Sequence, residues 1–265
     1  MSSSATGLSA RNRHVLSASR PDHEAPKQEF RLRPMTLADC STLAIHTGDA
    51  YLEGPVRKFI VPHAEKYRSD YERTLKQSIR KRLFDLQSIS VVAYEASNPK
   101  YPVGFAQYTR LGDDEGARAV LSRHSLWDRI CCFVLAWFFW GYDKVENWLW
   151  PDRSTDVDAM KAFFASGAGD TEKYWSSHPE RKNRWHVQSV VIGPAYQGKG
   201  IGRLLVTEAV NRAQEERVIM GLSSSVAGSH LYRKLGFELL GDFTMRIGDE
   251  VGNGMMIRYP EAANG

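Results

Sequence analysis

The sequence predicts an α/β domain in which strands and helices interleave, and three observations carry that reading. Short apolar or alternating runs at 29–33, 89–94, 103–108, 184–192, 218–223, 237–242 and 255–259 have the length and composition of strands. Between several of them lie segments with apolar residues three and four apart, the spacing of one helix face. Finally, Val190-Val191-Ile192 runs straight into Gly193-Pro194-Ala195-Tyr196-Gln197-Gly198-Lys199-Gly200-Ile201-Gly202-Arg203. That stretch reads as a strand, a glycine-rich turn and a helix start.

Each element follows from its residues. Glu29-Phe30-Arg31-Leu32-Arg33 alternates in polarity, Pro34 ends it, and Thr36 or Asp39 caps a helix over 37–47. Residues 49–62, punctuated by Gly54, Pro55 and Pro62, read as irregular. Tyr71, Leu75, Ile79, Leu83 and Leu86 share one face of a helix over 67–86. The strands 89–94 and 103–108 form a hairpin about a turn at Asn98-Pro99-Lys100. Segment 113–182 holds the longest apolar run, Ile130 to Tyr142, and a polar stretch around Gly167 to Asp170. That run falls short of the roughly 20 residues of a spanning helix, and Asp128, Arg129, Asp143 and Lys144 flank it. A buried or cleft-lining helix is expected, with interfacial membrane contact as the alternative. Arg184 to Ile192 then leads into the glycine turn and a helix to about Arg217. A strand at 218–223 and a helix at 226–235 follow. Gly236 caps that helix at its C-terminus before the last two strands.

The 265 residues are 42% apolar and 25% charged, an ordinary globular balance. A net charge of +4, spread through the chain, requires neither nucleic acid nor an anionic membrane as partner. Cys40, Cys131 and Cys132 form no disulfide framework or metal spacing, so a reducing, cytoplasmic setting without a metal is expected. Residues 1–28 read as a disordered tail, 29–260 as a single domain containing 113–182 as an insertion, and 261–265 as a second tail. Arg11, Arg13 and Arg20 precede the first acid, Asp22, which makes a mitochondrial presequence the minor alternative. No secretory apolar segment follows Met1.

Alternate glycines at a helix start leave backbone N–H groups open where the helix dipole is positive, the geometry of a phosphate site. Three motifs compete for it. Gly193 to Lys199 fits the first seven positions of a P-loop, but Gly200 stands where a magnesium-binding hydroxyl is required. The dinucleotide fingerprint fails because its third glycine comes one position early. The pattern Q-x-x-G-x-G is filled throughout by Gln197, Gly200 and Gly202. A ligand-free capping turn is the plain alternative.

This segment closely resembles the acyl-CoA pyrophosphate loop of the GCN5-related N-acetyltransferases. The order of elements over 29–112 and 184–260 resembles that family too. Asp49-Ala50-Tyr51 with Gly54-Pro55-Val56 resembles the helix-to-helix loop of its small-molecule branch, and the aromatic insert resembles members from filamentous fungi. The resemblance implies a mixed, mostly antiparallel central sheet flanked by helices, with a helical insertion between the third and fourth strands. It implies acetyl-CoA as co-substrate and a small amine as acceptor. A protein lysine or N-terminal acceptor, or a catalytically silent acyl-CoA-binding module, remains the alternative.

It also implies residue roles. The N–H groups of Gly198, Lys199, Gly200, Ile201, Gly202 and Arg203 would hold pyrophosphate, with Gln197 bracing the loop or reaching a phosphate oxygen. The Lys199 side chain adds charge or stays a solvated surface group. The main chain of Val190, Val191 and Ile192 would bond the acetyl and pantetheine oxygens where the fourth strand splays from the fifth. Tyr232, in Leu231-Tyr232-Arg233-Lys234-Leu235-Gly236-Phe237, matches the family's tyrosine acid. A phenol of pKa near 10 can protonate a leaving thiolate; a core tyrosine is the plainer role. Ser225 stands where the family often has asparagine, and Gly228 where it has alanine. His186 lies eleven residues before Gln197, where several members carry a base, and its ordinary pKa near 6.5 suits proton abstraction directly or through water. Strand periodicity places it on one face with Gln188, and a packed strand histidine is the alternative. Asp49, Tyr51, Trp175 and His178 are weaker acceptor-site candidates.

Overall fold

The computed structural model describes residues 28–248 and 254–261. Four strands, β1 (Phe30–Pro34), β2 (Ser88–Glu95), β3 (Asn98–Leu111) and β4 (Arg184–Ile192), form consecutive antiparallel pairs. The others are β5 (Ile219–Ser224), β6 (Glu238–Asp242) and β7 (Gly254–Arg258). They complete one seven-stranded sheet of order β1-β2-β3-β4-β5-β7-β6, in which β4 and β5 are the one parallel pair.

The helices are α1 (Asp39–Ala50), α2 (Pro55–Ile60), α3 (Arg68–Leu83), α4 (Glu115–Ser122), α5 (Leu126–Leu149), α6 (Val157–Thr171), α7 (Ile201–Glu215) and α8 (Val226–Lys234). Alternation along the strands sends side chains to two cores. Val91, Ala106, Tyr108, Trp185 and Val187 meet Leu205, Ala209 and neighbouring residues of α7 on one face. Val92, Phe105 and Val191 meet Cys40 and Leu43 of α1 and Ile79 of α3 on the other. Burying a side chain such as Leu205 contributes about 2 kcal/mol relative to exposure.

One buried charge ties the layers together. Arg110, at zero exposure, donates through Nε to Glu216 Oε2 at 2.8 Å and through Nη2 to both carboxylate oxygens of Asp114. Trp185 Nε1 donates to the other oxygen of Glu216 at 3.2 Å. A buried guanidinium met by two carboxylates in this way avoids the cost of an unpaired ion.

Three details depart from the sequence expectations. Residues 49–62 are not wholly irregular, because Pro55 opens α2; proline lacks an N–H the first turn would leave unpaired anyway. The hairpin reverses at Ala96-Ser97, so Asn98-Pro99-Lys100 belongs to β3. The aromatic run is not buried: no residue of the 24-residue α5 is buried, and Ala136, Trp137, Phe139 and Trp140 line a groove against α3 while the rest of the helix faces outward. The tail read over 1–28 lies outside the described residues except for Gln28, and of 261–265 only Glu261 is described.

The feature that positions the site is a break in the sheet. β4 pairs with β5 only from Arg184 to Val187. Against β3, Tyr108 faces Val187 while Gln107 faces Ser189, so Gln188 is an extra, bulged residue. Beyond it β4 keeps its bonds to β3 and leaves β5, opening a wedge beside Ser189 to Ile192.

Candidate active site

The glycine loop follows the open end of the wedge. Gly198 and Gly200 have φ of 76° and 81°, a left-handed backbone that residues with a Cβ adopt at a cost. Gly200 is the N-cap of α7 and has no side chain to cap it. Gly202 is tightly placed, since a Cβ there would lie 3.1 Å from Leu231 Cδ2 and that side chain would have to shift. Consequently the six consecutive N–H groups from Gly198 to Arg203 donate to no acceptor among the described residues. Such a run of free donors at a helix N-terminus is an anion seat. The side chains stand back from it: Lys199 Nζ donates to Gln28 Oε1 at 3.0 Å and lies 5.2 Å from the Tyr196 ring centre.

Hydrogen bonding fixes which main-chain groups face the wedge. Gly193 N–H donates to Val103 O at 2.9 Å. Antiparallel pairing alternates, so Val191 also turns its main chain to β3, while Val190 and Ile192 turn theirs to the wedge. The Val191 side chain sits in the α1–α3 core. Of the three residues expected to offer main-chain bonds, two face the opening and Val191 does not. Gln197 Nε2 donates to Ile192 O at 3.2 Å, so this side chain braces the loop.

Tyr232 lies on α8, where it follows Leu231, the residue that packs on Gly202 of the loop. It is 8% exposed, its ring meets Phe237 edge-on at 5.8 Å, and Gly228 leaves room for it. Burial holds its phenol well above the usual range, and the Tyr51 phenol nearby adds to the effect. The group therefore stays protonated. Ser225 is exposed and caps α8, its hydroxyl accepting from Gly228 N–H at 3.2 Å. Tyr51, just past the end of α1, keeps 43% of its surface; burial, with a smaller contribution from Tyr51, pushes the Tyr71 phenol up to about 12.

His186 is placed differently. Its half-buried ring packs edge-on against Trp175 at 5.6 Å, and its Nδ1 is buried without a partner. Burial, with a smaller contribution from the Arg184 charge, pushes the imidazole down to about 3. It is therefore neutral near pH 7 and only a weak base. The bulge separates it from Gln188, which is exposed. Trp175 is an internal support for β5, lying so close under Gly221 that a Cβ there would be 2.8 Å from Cζ2. Asp49 is bound by Arg68 at 2.7 Å and His178 by Glu180 at 3.0 Å. Sequence reasoning passed over His46. It closes the wedge end by packing on Gly193, meets Tyr101 and Tyr196 edge-on, and bonds Pro102 O at 3.2 Å. Nothing in its local sequence marks it, because all these contacts are long-range.

The comparisons agree with this geometry. Residues 162–239, from α6 through the loop and α8 to the start of β6, match the acetyltransferase (GNAT) domain family. No curated protein matches the sequence. Among solved structures, a protein described as histone acetyltransferase HPA2 and related acetyltransferase from Corynebacterium glutamicum is 16% identical. It superposes with a TM-score of 0.54 over 89% of this chain and 99% of its own. PaiA N-acetyltransferase from Thermoplasma acidophilum, solved with coenzyme A, is 13% identical with a TM-score of 0.45, over 87% and 99% of the two chains. YncA from Salmonella typhimurium, solved with its cofactor acetyl-CoA, is 16% identical with a TM-score of 0.45, over 89% and 96%. The fold is that of the GNAT acetyltransferases, and residues 162–239 match the domain model of that family.

Proposed function

We propose that the protein is an acetyl-CoA-dependent N-acetyltransferase that acetylates the amine of a small molecule by direct attack in a ternary complex. The observation that carries this reading is the run of six free N–H groups at the end of a strand that has left its neighbour. The loop from Gly198 to Arg203 seats the pyrophosphate, and Gln197 holds that loop to Ile192. Val190 and Ile192 offer main-chain bonds to the pantetheine arm and acetyl oxygen, and Ser225 lies at the start of α8 beside them. The acceptor nitrogen attacks the thioester carbonyl, the C–S bond breaks, and Tyr232 gives its proton to the departing sulfur. The proton lost by the acceptor nitrogen passes to water, from which the Tyr232 phenol is restored, and His186 stays neutral throughout.

A small acceptor is favoured by how the cleft is bridged. Gly248, after β6, is so close to Pro55 of α2 that a Cβ would lie 3.3 Å from it. This contact lies four residues from Tyr51 and brings the segment after β6 against α2. The likeness of 49–56 to the small-molecule branch supports the same acceptor class. Three free cysteines, with the Cys40 thiol pushed up to about 11 by burial, suit a reducing cytoplasm.

Isothermal titration with acetyl-CoA, followed by a thiol-release assay across small amines and lysine peptides, tests the proposal. Binding plus turnover with small amines is expected. Absence of binding by folded protein, or turnover confined to peptides, overturns it.

A further inference from the structure

Five of the seven tryptophans (Trp127, Trp137, Trp140, Trp148 and Trp150) lie exposed on or beside α5. The helix is amphipathic in an inverted sense. Its polar groups point inward to α3: Asp143 pairs with Arg80, while Gln77 Nε2 donates to Glu146 Oε2 at 2.8 Å and to Asn147 Oδ1 at 3.2 Å. Arg80 also lies 4.2 Å from the centre of the Phe139 ring, which stacks on Phe84. The opposite face carries Trp127, Ile130, Val134, Phe138, Val145 and Trp148, spaced three, four or seven apart, with no charge among them. Phe138 keeps 60% of its surface and Trp148 78%. A single exposed apolar residue needs no explanation, but a continuous face along a helix about 36 Å long does.

The charges around this face indicate what meets it. The acids are used internally: Asp128 bonds Ser125, Asp143 bonds Arg80, and Glu146 bonds Gln77 and Tyr142. The exposed cations Lys81, Arg129 and Lys144 meet no carboxylate among the described residues, and Lys81 and Lys144 border Trp137 and Trp140 in the groove between α3 and α5. An uncharged aromatic face edged by free cations complements an anionic lipid surface, with aromatic rings at the headgroup level. A second copy related by a twofold axis would set these cations against one another. Residues 1–27 contain only Met1, Leu8, Val15 and Leu16 as large apolar side chains, too few to cover the face. No helix of the described residues is long and apolar enough to cross a membrane, so α5 would lie along the surface.

We infer that α5 is a peripheral membrane-docking helix that seats the protein on anionic lipid. The inference stands apart from the proposed enzymatic function. The test mixes the full chain with vesicles of phosphatidylcholine alone, or with 30% phosphatidylserine (about the anionic range of cytoplasmic leaflets), and reads co-sedimentation and tryptophan emission. Binding to the anionic vesicles with a blue shift, weakened by salt, is expected. Val134→Ser/Phe138→Ser/Val145→Ser, which keeps every tryptophan and all α3 contacts, should lower partitioning at least about ten-fold at unchanged circular dichroism. Lys81→Gln and Lys144→Gln should each lower it about five-fold. Three outcomes overturn the inference: no binding to either vesicle, binding that neither shifts emission nor responds to these variants, or blue-shifted emission accompanying dimers in plain buffer.

Discussion

The side-chain amide of Gln197 donates through Nε2 to the carbonyl of Ile192 at 3.2 Å, joining the last residue of β4 to the loop five residues on. The bond spans the turn at which the open strand edge gives way to the free N–H groups. It therefore sets the angle between two halves of one binding site. Gln197→Ala removes a bond of about 1 kcal/mol, so the Kd for acetyl-CoA should rise about five-fold with kcat little changed. Titration and steady-state kinetics on the same preparation check the split.

Gly200 tests the backbone itself. At φ 81° an alanine costs about 1–2 kcal/mol of strain and sets a methyl group beside the free donors. Gly200→Ala should weaken acetyl-CoA binding more than about ten-fold. Gly141→Ala, in α5 with open space around its Cβ, should leave binding unchanged and favour the helix by about 1 kcal/mol.

Tyr232→Phe removes one oxygen and keeps the ring packed on Phe237. It should lower kcat by about a hundred-fold or more while acetyl-CoA affinity holds. Because the phenol is held above its usual range, the wild-type rate should show no alkaline loss through about pH 10. A pH–rate profile of both proteins reads the two effects together.

His186 should shape stability as a function of pH. Its imidazole is pushed down to about 3 in the fold and titrates near 6.5 when unfolded. Between those values the unfolded chain binds the proton and the folded chain does not. Its contribution is thus complete above about pH 6.5 and declines as pH falls toward 3. The slope is at most about 1.4 kcal/mol per pH unit, reduced by the residual exposure of the ring. His186→Gln should flatten the decline, as urea midpoints at pH 7.5, 5.5 and 4.5 will show.

Much of this was legible where local chemistry decides. Gly198, Gly200 and Gly202 stand at backbone positions that penalise a Cβ, so spacing alone located the loop. The strand into it and the Tyr232 helix also follow local rules. Which of its two readings His186 would take was not legible, because its neutral state depends on packing against Trp175, which lies outside the strand and eleven residues earlier. The apolar stripe of α5 could be counted from sequence, yet periodicity names a face without saying whether anything covers it. Pro55 was read as a breaker, whereas at the first position of a helix it is a starter. Chain direction, rather than residue type, separates those two readings.

The extra residue at Gln188 makes the opening in the sheet a matter of counting. Its side chain is exposed and fills no core, so Gln188→Ala or Gln188→Ser should change stability by less than about 0.5 kcal/mol. Deleting it would join Val187 directly to Ser189, so that their pairs with Tyr108 and Gln107 become consecutive rungs of a regular ladder and Val190, Val191 and Ile192 keep their present faces. Val191 would stay in the α1–α3 core, while the bend and added twist that accompany a bulge would be lost; cooperative folding with weakened acetyl-CoA binding is the expected result. The parting of β4 from β5 is written here as a length of chain, one residue more than the neighbouring strand requires.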